Sequence, residues 1–242
     1  MNKEILWLLD NSLGKILRTF EGFLIRPRNN RINLIDEIFN RSIHTSVDFV
    51  NQNLGDSQMF SKNTDIWDYC LETSEILNKS PAPLILEFGV YKGNSINYFA
   101  ERAPNAQLVG FDSFEGLSEN WTGFILSKGH FNQNGIVPKV CSNVNLVKGW
   151  FENTLPNYVK SAQLENLALL HLDADTYSPT KFVLETLCSY FRPGLIILFD
   201  EFFGYPNWQN HEFKAWNQVA QDKNICFKYI AFGEQQVAVQ IL

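Results

Sequence analysis

The stretch from Leu84 to Asn94, L-I-L-E-F-G-V-Y-K-G-N, constrains the fold more than any other part of the chain. Leu84, Ile85 and Leu86 form a short apolar run, bounded by Pro81 and Pro83 before it and by Gly89 and Gly93 after it. Such a run reads as a buried parallel strand, because helices cover both faces of a parallel sheet. The glycine-punctuated turn leads into Ser95-Ile96-Asn97-Tyr98-Phe99-Ala100, which reads as a helix start. Strand, glycine turn and helix together form the ligand-binding opening of a doubly wound fold. Glycines there let backbone approach a ligand where a Cβ would collide.

From this point strands and helices alternate. Strands are predicted at Leu108–Phe111 ending at Asp112, Val144–Val147, Leu167–Leu172 ending at Asp173, and Leu195–Phe199 ending at Asp200. A helix from Ser178 to Phe191, closed by Arg192-Pro193-Gly194, separates the last two. That order predicts a Rossmann-like, mostly parallel, doubly wound α/β sheet. Phe227–Ile230 and Gln236–Gln240, split by a Gly233 turn, predict a C-terminal antiparallel hairpin at one edge.

Upstream, Leu6, Leu9, Leu13, Ile16, Leu17, Phe20 and Leu24 recur at helical spacing over residues 3–25, and Pro27 ends the run. The stripe predicts a helix packed on its own domain or on a second subunit. A membrane-surface helix is the rival reading, disfavoured by an only mildly basic polar face. One or two short helices are expected over 32–52, a polar linker over 53–63, and a helix over 64–79 capped by Thr64 or Asp65.

Composition excludes some functions. A net charge of −6 argues against a nucleic-acid surface, which needs a basic face. The four cysteines, at 70, 141, 188 and 226, lack metal-ligand spacing and lie among apolar residues. They predict buried free thiols in a reducing compartment. Only five apolar residues stand between Glu4 and Asp10, too few for a secretory leader, and no apolar run approaches membrane-spanning length. The expectation is a cytoplasmic protein.

The chemistry is carried by the strand ends, where open α/β sheets bind ligands. Gly89 and Gly93 have three residues between them, not the G-x-G-x-x-G spacing of a dinucleotide turn. With Glu87 two residues before the first glycine, the turn reads as one for S-adenosylmethionine, whose ammonium a carboxylate favours. Asp112 is placed to accept from the ribose hydroxyls, and Gly149-Trp150 to wall the adenine, core packing being the rival reading for the tryptophan. The contacting set is then Glu87, Gly89, Tyr91, Gly93, Ser95, Asp112, Ser113, Gly149, Trp150 and Asp173.

The fourth and fifth strands end in paired acids, Asp173-Ala174-Asp175 and Asp200-Glu201. If these strands are neighbours, about 4.8 Å apart, three or four carboxylates converge, an unfavourable arrangement unless a cation neutralises them. Oxygen ligands favour Mg²⁺, Mn²⁺ or Ca²⁺. Helix capping by the same acids is the plainer alternative.

The motifs E-F-G-V-Y-K-G-N-S, G-F-D-S-F-E-G-L, K-G-W-F-E-N-T-L-P, L-H-L-D-A-D-T-Y-S-P-T and L-F-D-E-F occur in this order between Leu84 and Phe203. In these the chain resembles the macrocin O-methyltransferase family, the metal-dependent sugar O-methyltransferases of class I. The resemblance implies a class I methyltransferase fold, taken over residues 61–242; residues 1–60 lie outside it, and their helical stripe predicts an extension serving packing or oligomerisation. It implies a divalent cation, Mg²⁺ or Mn²⁺, on Asp173, Asp200 and Glu201, with Asp175 as general base. His211 and His130 are rival bases, whereas His171, inside a strand, reads as structural. The third ligand is usually Asp in such enzymes and is Glu201 here. The expected acceptor is a small-molecule hydroxyl, on a sugar or glycosylated metabolite. A catechol or phenol acceptor and a non-catalytic binding module are the competing readings. Residues 117–140, long and aperiodic, are expected to cover the acceptor.

Overall fold

The structure, a computed structural model, describes residues 33–242. The helix expected over 3–25 lies outside the described residues. The chain divides into two compact units, Met1–Glu37 and Ile38–Leu242. In the first, the Asn33 side chain accepts the Ile35 N–H at 3.0 Å.

Helix α1 (Leu34–Asn53) is one 20-residue element where two short helices were an option. Strand β1 (Gln58–Met59) follows, then α2 (Asn63–Thr73) and α3 (Glu75–Lys79). The single helix expected over 64–79 is therefore two. Ser74 separates them, its hydroxyl accepting the Leu77 N–H at 3.2 Å to cap α3. Neither Thr64 nor Asp65 caps α2, whose N-cap is Lys62. The core alternation is β2 (Leu84–Phe88), α4 (Asn94–Arg102), β3 (Gln107–Asp112), β4 (Val144–Lys148), α5 (Phe151–Val159), β5 (Leu167–Leu172), α6 (Tyr177–Leu187) and β6 (Ile196–Phe199). It closes with α7 (Glu212–Asp222), β7 (Phe227–Phe232) and β8 (Val237–Ile241).

The eight strands form one sheet in the order β1-β7-β8-β6-β5-β2-β3-β4. All neighbours are parallel except β8, which runs antiparallel to β6 and β7. This is the expected doubly wound architecture with its C-terminal hairpin. The two-residue β1 lies in the stretch read as a linker and pairs with β7 through Gln58↔Ala231 and Met59↔Phe232.

Strand periodicity splits the core in two. Leu84, Leu86, Phe88, Leu170, Leu172, Ile197 and Phe199 share one apolar cluster. Ile85, Leu169, Ile196 and Leu198 belong to the other. Register pairs Ile85 with Leu169 and Glu87 with His171. Phe49 of α1 meets Phe202, Phe203, Trp208, Phe213 and Tyr229 ring to ring, with centroids 5.2–6.3 Å apart. Of the cysteines only Cys70 is buried; Cys141 and Cys188 are half-buried and Cys226 is exposed, so the expectation of four buried thiols fails for three. Short apolar neighbours in sequence did not place them on core-facing positions. No helix among the described residues is long and apolar enough to cross a membrane.

Candidate active site

Strand β2 lies between β3 and β5, so the chain reverses direction of growth there, the place where such sheets bind ligands. The ladder continues one step past each strand. Gly89 N–H donates to Phe111 O at 3.0 Å, Asp173 N–H to Phe88 O at 2.8 Å, Asp200 N–H to Leu172 O at 2.9 Å and Gly149 N–H to Asp112 O at 2.9 Å. All four turns therefore start at one level, which gathers the acids that follow the strands along one rim.

A cleft of about 280 Å³ opens at this rim. Of the expected cofactor set, Gly89, Tyr91, Asp112, Ser113, Trp150 and Asp173 line it. Gly93, Gly149, Ser95 and Glu87 do not. Gly93 instead caps α4 at φ +79°, and Gly149 turns the chain at φ +141°. Ser95 is buried and donates its hydroxyl to Glu87 at 3.1 Å.

Gly89 has φ +96°, and a Cβ on it would lie 1.7 Å from the Asp173 carbonyl oxygen. The sequence reading gave this glycine a role in ligand approach. In the structure the neighbour that excludes a side chain is the adjoining strand end. Asp112 organises the turn beside it: Oδ2 accepts the Val90 and Tyr91 N–H groups at 2.9 and 2.7 Å, and Oδ1 accepts Phe114 N–H at 2.7 Å. Both lone-pair sites of Oδ2 are then filled, and Oδ1 keeps capacity for a further donor.

One carboxylate oxygen from each of Asp173, Asp175 and Glu201 lies within 4.8 Å of the others. Asp175 sits at φ +62°, and Thr176 N–H donates to Ala174 O at 2.6 Å, so a tight three-residue turn swings its carboxylate back beside Asp173. Asp tolerates this left-handed geometry better than most residues. Burial raises all three carboxyls well above the usual range; Asp200 raises them further, as does Asp175 for Asp173 and Glu201, and Asp112 for Asp175. The Glu201 Oε2 atom is buried without a hydrogen-bond partner. An all-oxygen set of this kind, one atom of it unsatisfied, fits a hard divalent cation.

The sequence reading grouped Asp200 with Asp173 and Glu201. In the structure Asp200 lines the cleft, but its Oδ1 accepts from Gln236 Nε2 and lies 3.5 Å from His171 Nε2. Burial pushes Asp200 up, yet the His171 imidazole outweighs this and holds it below the usual range. His211 and His130 are not among the cleft-lining residues. His211 Nε2 contacts Thr122 O at 2.9 Å, and burial holds the imidazole below its ordinary value against that bond. His130 is exposed on the loop after β3.

That loop, residues 113–143, contains no helix or strand. Glu119 accepts the Ser178 N–H and hydroxyl at 3.1 and 2.9 Å, Asn207 donates to Thr122 O at 2.6 Å, and Lys148 donates to Gly135 O at 2.6 Å. The loop contributes Gly116, Leu117, Ser118 and Phe131 to the cleft. Phe131 meets Tyr91 edge-on at 5.4 Å. Sequence reasoning missed these residues one by one, because an aperiodic loop does not reveal which side chains face inward. It also missed Glu212, fully buried at the start of α7, whose Oε2 accepts Glu201 N–H at 3.1 Å. An acid in a helix's first turn is too ordinary to signal a site.

Residues 86–202 match a family model described as a methyltransferase domain. No curated protein matches the chain. Among solved structures, the calicheamicin methyltransferase CalS11 is 22% identical with a TM-score of 0.57, over 89% of this chain and 94% of that one. An apo structure of CalS11, described as a TDP-rhamnose 3′-O-methyltransferase, gives 22% and 0.51 over 89% and 96%. The O-methyltransferase NovP gives 21% and 0.52 over 73% and 78%. At these identities the likeness is one of fold. The family match spans under half of the chain, and together with these structures it supports a methyltransferase fold.

Proposed function

We propose that the chain transfers the methyl group of S-adenosylmethionine to a hydroxyl of a sugar or glycosylated metabolite, assisted by Mg²⁺ or Mn²⁺ at the Asp173, Asp175 and Glu201 carboxylates. The observation that carries this reading is that cluster, three carboxylates within 4.8 Å on the wall of the cleft. A methyltransferase acting on a stronger nucleophile has no need of such a grouping. When bound, the cation supplies Lewis-acid polarisation of the acceptor hydroxyl and offsets its developing negative charge.

The remaining roles belong to the chain itself. Asp112 accepts from the ribose hydroxyls while its backbone donors fix it. Trp150 and Phe151 flank the adenine; Phe151 is anchored edge-on against Phe88 at 5.2 Å. Tyr91 and Phe131 exclude water from the sulfonium side. Asp175 offers one oxygen to the cluster and takes the acceptor's proton on the other. The acceptor oxygen then forms its bond to the methyl carbon as the sulfur–carbon bond breaks, giving a methyl ether and S-adenosylhomocysteine.

The test is a methyl-transfer screen over sugar nucleotides, glycosides and catechols, in Mg²⁺ and in excess chelator. Transfer to a sugar hydroxyl that chelator abolishes supports the reading. Full transfer in chelator removes the cation, and transfer to catechols alone removes the sugar.

A further inference from the structure

Glu212 has no part in the roles assigned so far, yet it is a fully enclosed carboxyl group in contact with the acid cluster through Glu201. It is the first residue of α7 and is 0% exposed. Its Oε2 accepts the backbone N–H of Glu201 at 3.1 Å. Its Oε1 is buried with no hydrogen-bond partner. Helix α7 packs on α6, the helix that follows the Asp173–Asp175 turn. Tyr205 completes the arrangement by donating its hydroxyl to the Glu201 carbonyl at 3.0 Å. The Glu201 backbone is thus gripped at both its N–H and its C=O by side chains that follow it in the chain.

A bare carboxylate oxygen in a dehydrated site is costly unless a cation or proton compensates it. No Lys, Arg or His ion pair reaches Glu212 among the described residues. The Glu201 Oε2 atom is unpartnered as well. Two orphaned carboxylate oxygens beside one three-acid cluster share one remedy, a divalent cation.

The geometry points to Glu212 as a positioning residue of the cation site, which fixes the Glu201 backbone through its N–H and sets a fourth carboxyl group beside the three ligands. This inference rests on the cation reading above and extends it to a residue outside the strand-end motifs. Groups that orient metal ligands from behind typically contribute about 10–100-fold in metal affinity. The side chain has two separable duties. Glu212→Gln keeps an oxygen that can accept the Glu201 N–H but removes the charge. Glu212→Ala removes both.

The experiment is Mn²⁺ titration of the full chain, with free Mn²⁺ read by electron paramagnetic resonance and no methyl donor or acceptor present. S-adenosylmethionine affinity by calorimetry serves as the control for folding. The expected result is that Glu212→Gln binds Mn²⁺ several-fold more weakly than wild type, and Glu212→Ala about 10–100-fold more weakly, with the methyl donor still bound. Should Glu212→Ala fail to fold, Glu212→Gln alone decides. Equal Mn²⁺ affinity in wild type and folded variants overturns the inference and leaves the cation site standing. A wild-type chain that takes up no Mn²⁺ overturns the cation reading itself, and this inference with it.

Discussion

His171 Nδ1 lies 2.9 Å from Glu87 Oε2, and the two side chains are 1% and 0% exposed. They are register partners on β5 and β2, so one ladder position sets them side by side. The rings of Trp67 and Phe99 enclose the imidazole at 6.3 and 5.3 Å. Burial lowers the affinity of His171 for its proton, but the Asp200 and Glu87 carboxylates reverse this and raise it well above the ordinary histidine value. The imidazole thus lies between two acidic side chains inside the sheet, and burial raises the Glu87 carboxyl above its usual range.

This pairing predicts a large effect of single replacement. Glu87→Leu or His171→Leu should each lower stability by about 3–5 kcal/mol, the cost of leaving a buried charge unpaired. The double variant should be less destabilised than the sum of the two, since it removes both charges. Urea unfolding of the four proteins checks this; additive losses would show that the pair is not a unit.

The glycines of the turn should differ sharply. Gly89→Ala drives a Cβ to within 1.7 Å of a backbone oxygen at φ +96°, with no flexible atom to yield. It should cost well over 3 kcal/mol or prevent folding, since overpacking and a strained φ add. Gly93→Ala meets nothing nearer than Asn97 Nδ2 at 3.4 Å and suffers only the φ +79°. A loss of about 1–2 kcal/mol is expected. Similar melting temperatures for the two variants would contradict the strand-end explanation of Gly89.

How much of this was legible in the sequence follows from physics of different range. The apolar runs that became β2, β3, β5 and β6 could be read because strands buried on both faces need continuous hydrophobicity. The acids after them could be read because strand ends are ligand sites. Side-chain direction could not. Glu87 looked like an ammonium partner until register put it on the face of Ile85, beside His171. Asp175 was read among the converging acids, but the left-handed turn that sets its carboxylate beside Asp173 was not legible. Asp200, read as a ligand, also faces a histidine one strand away, which no local pattern announces. Each of these depends on which strands are neighbours and on one φ angle, neither of which a local pattern encodes. Residues 1–32, where the helical stripe was read, lie outside the described structure.

The acid cluster predicts an inverted pH response in the metal-free protein. Asp173, Asp175, Glu201 and Glu212 all keep their protons to higher pH when folded, chiefly through burial. Their contribution to stability is fully present below the unfolded carboxylate range, about 4, and is lost as pH rises through the raised folded values. His211 acts oppositely: its lowered folded value costs stability as pH falls below the unfolded histidine value of about 6.5. Glu87 and His171, both raised, act with the cluster and against His211. In chelator the melting temperature should therefore fall between about pH 5 and pH 8, and Mg²⁺ should raise it most at the upper end. A melting temperature that climbs with pH in chelator would sink the idea.

The last prediction separates Asp175 from Asp200. The sequence pattern assigned the cation to Asp200 and the proton to Asp175. The geometry sets Asp175 in the 4.8 Å cluster and engages Asp200 with His171 and Gln236. A carboxylate has two oxygens, so Asp175 is able to serve the cluster with one and receive a proton on the other. Asp175→Asn keeps the left-handed turn, because Asn tolerates φ near +60°, but it loses charge and basicity. It should weaken Mn²⁺ binding and lower turnover by about 10²–10⁴-fold, the range for loss of a general base. Asp200→Asn should disturb Mn²⁺ binding less, because Asp200 contributes charge near the site and not a member of the ligand set. Its main loss should be stability, since His171 then faces one carboxylate in place of two. Mn²⁺ titration and single-turnover methyl transfer on both variants decide the matter. If Asp200→Asn abolishes Mn²⁺ uptake and Asp175→Asn leaves it intact, the ligand set returns to Asp173, Asp200 and Glu201, with Asp175 as base alone. If Asp175→Asn turns over at the wild-type rate, Asp175 is not the base, and Asp200, a cleft-lining carboxylate outside the cluster, is the next to test.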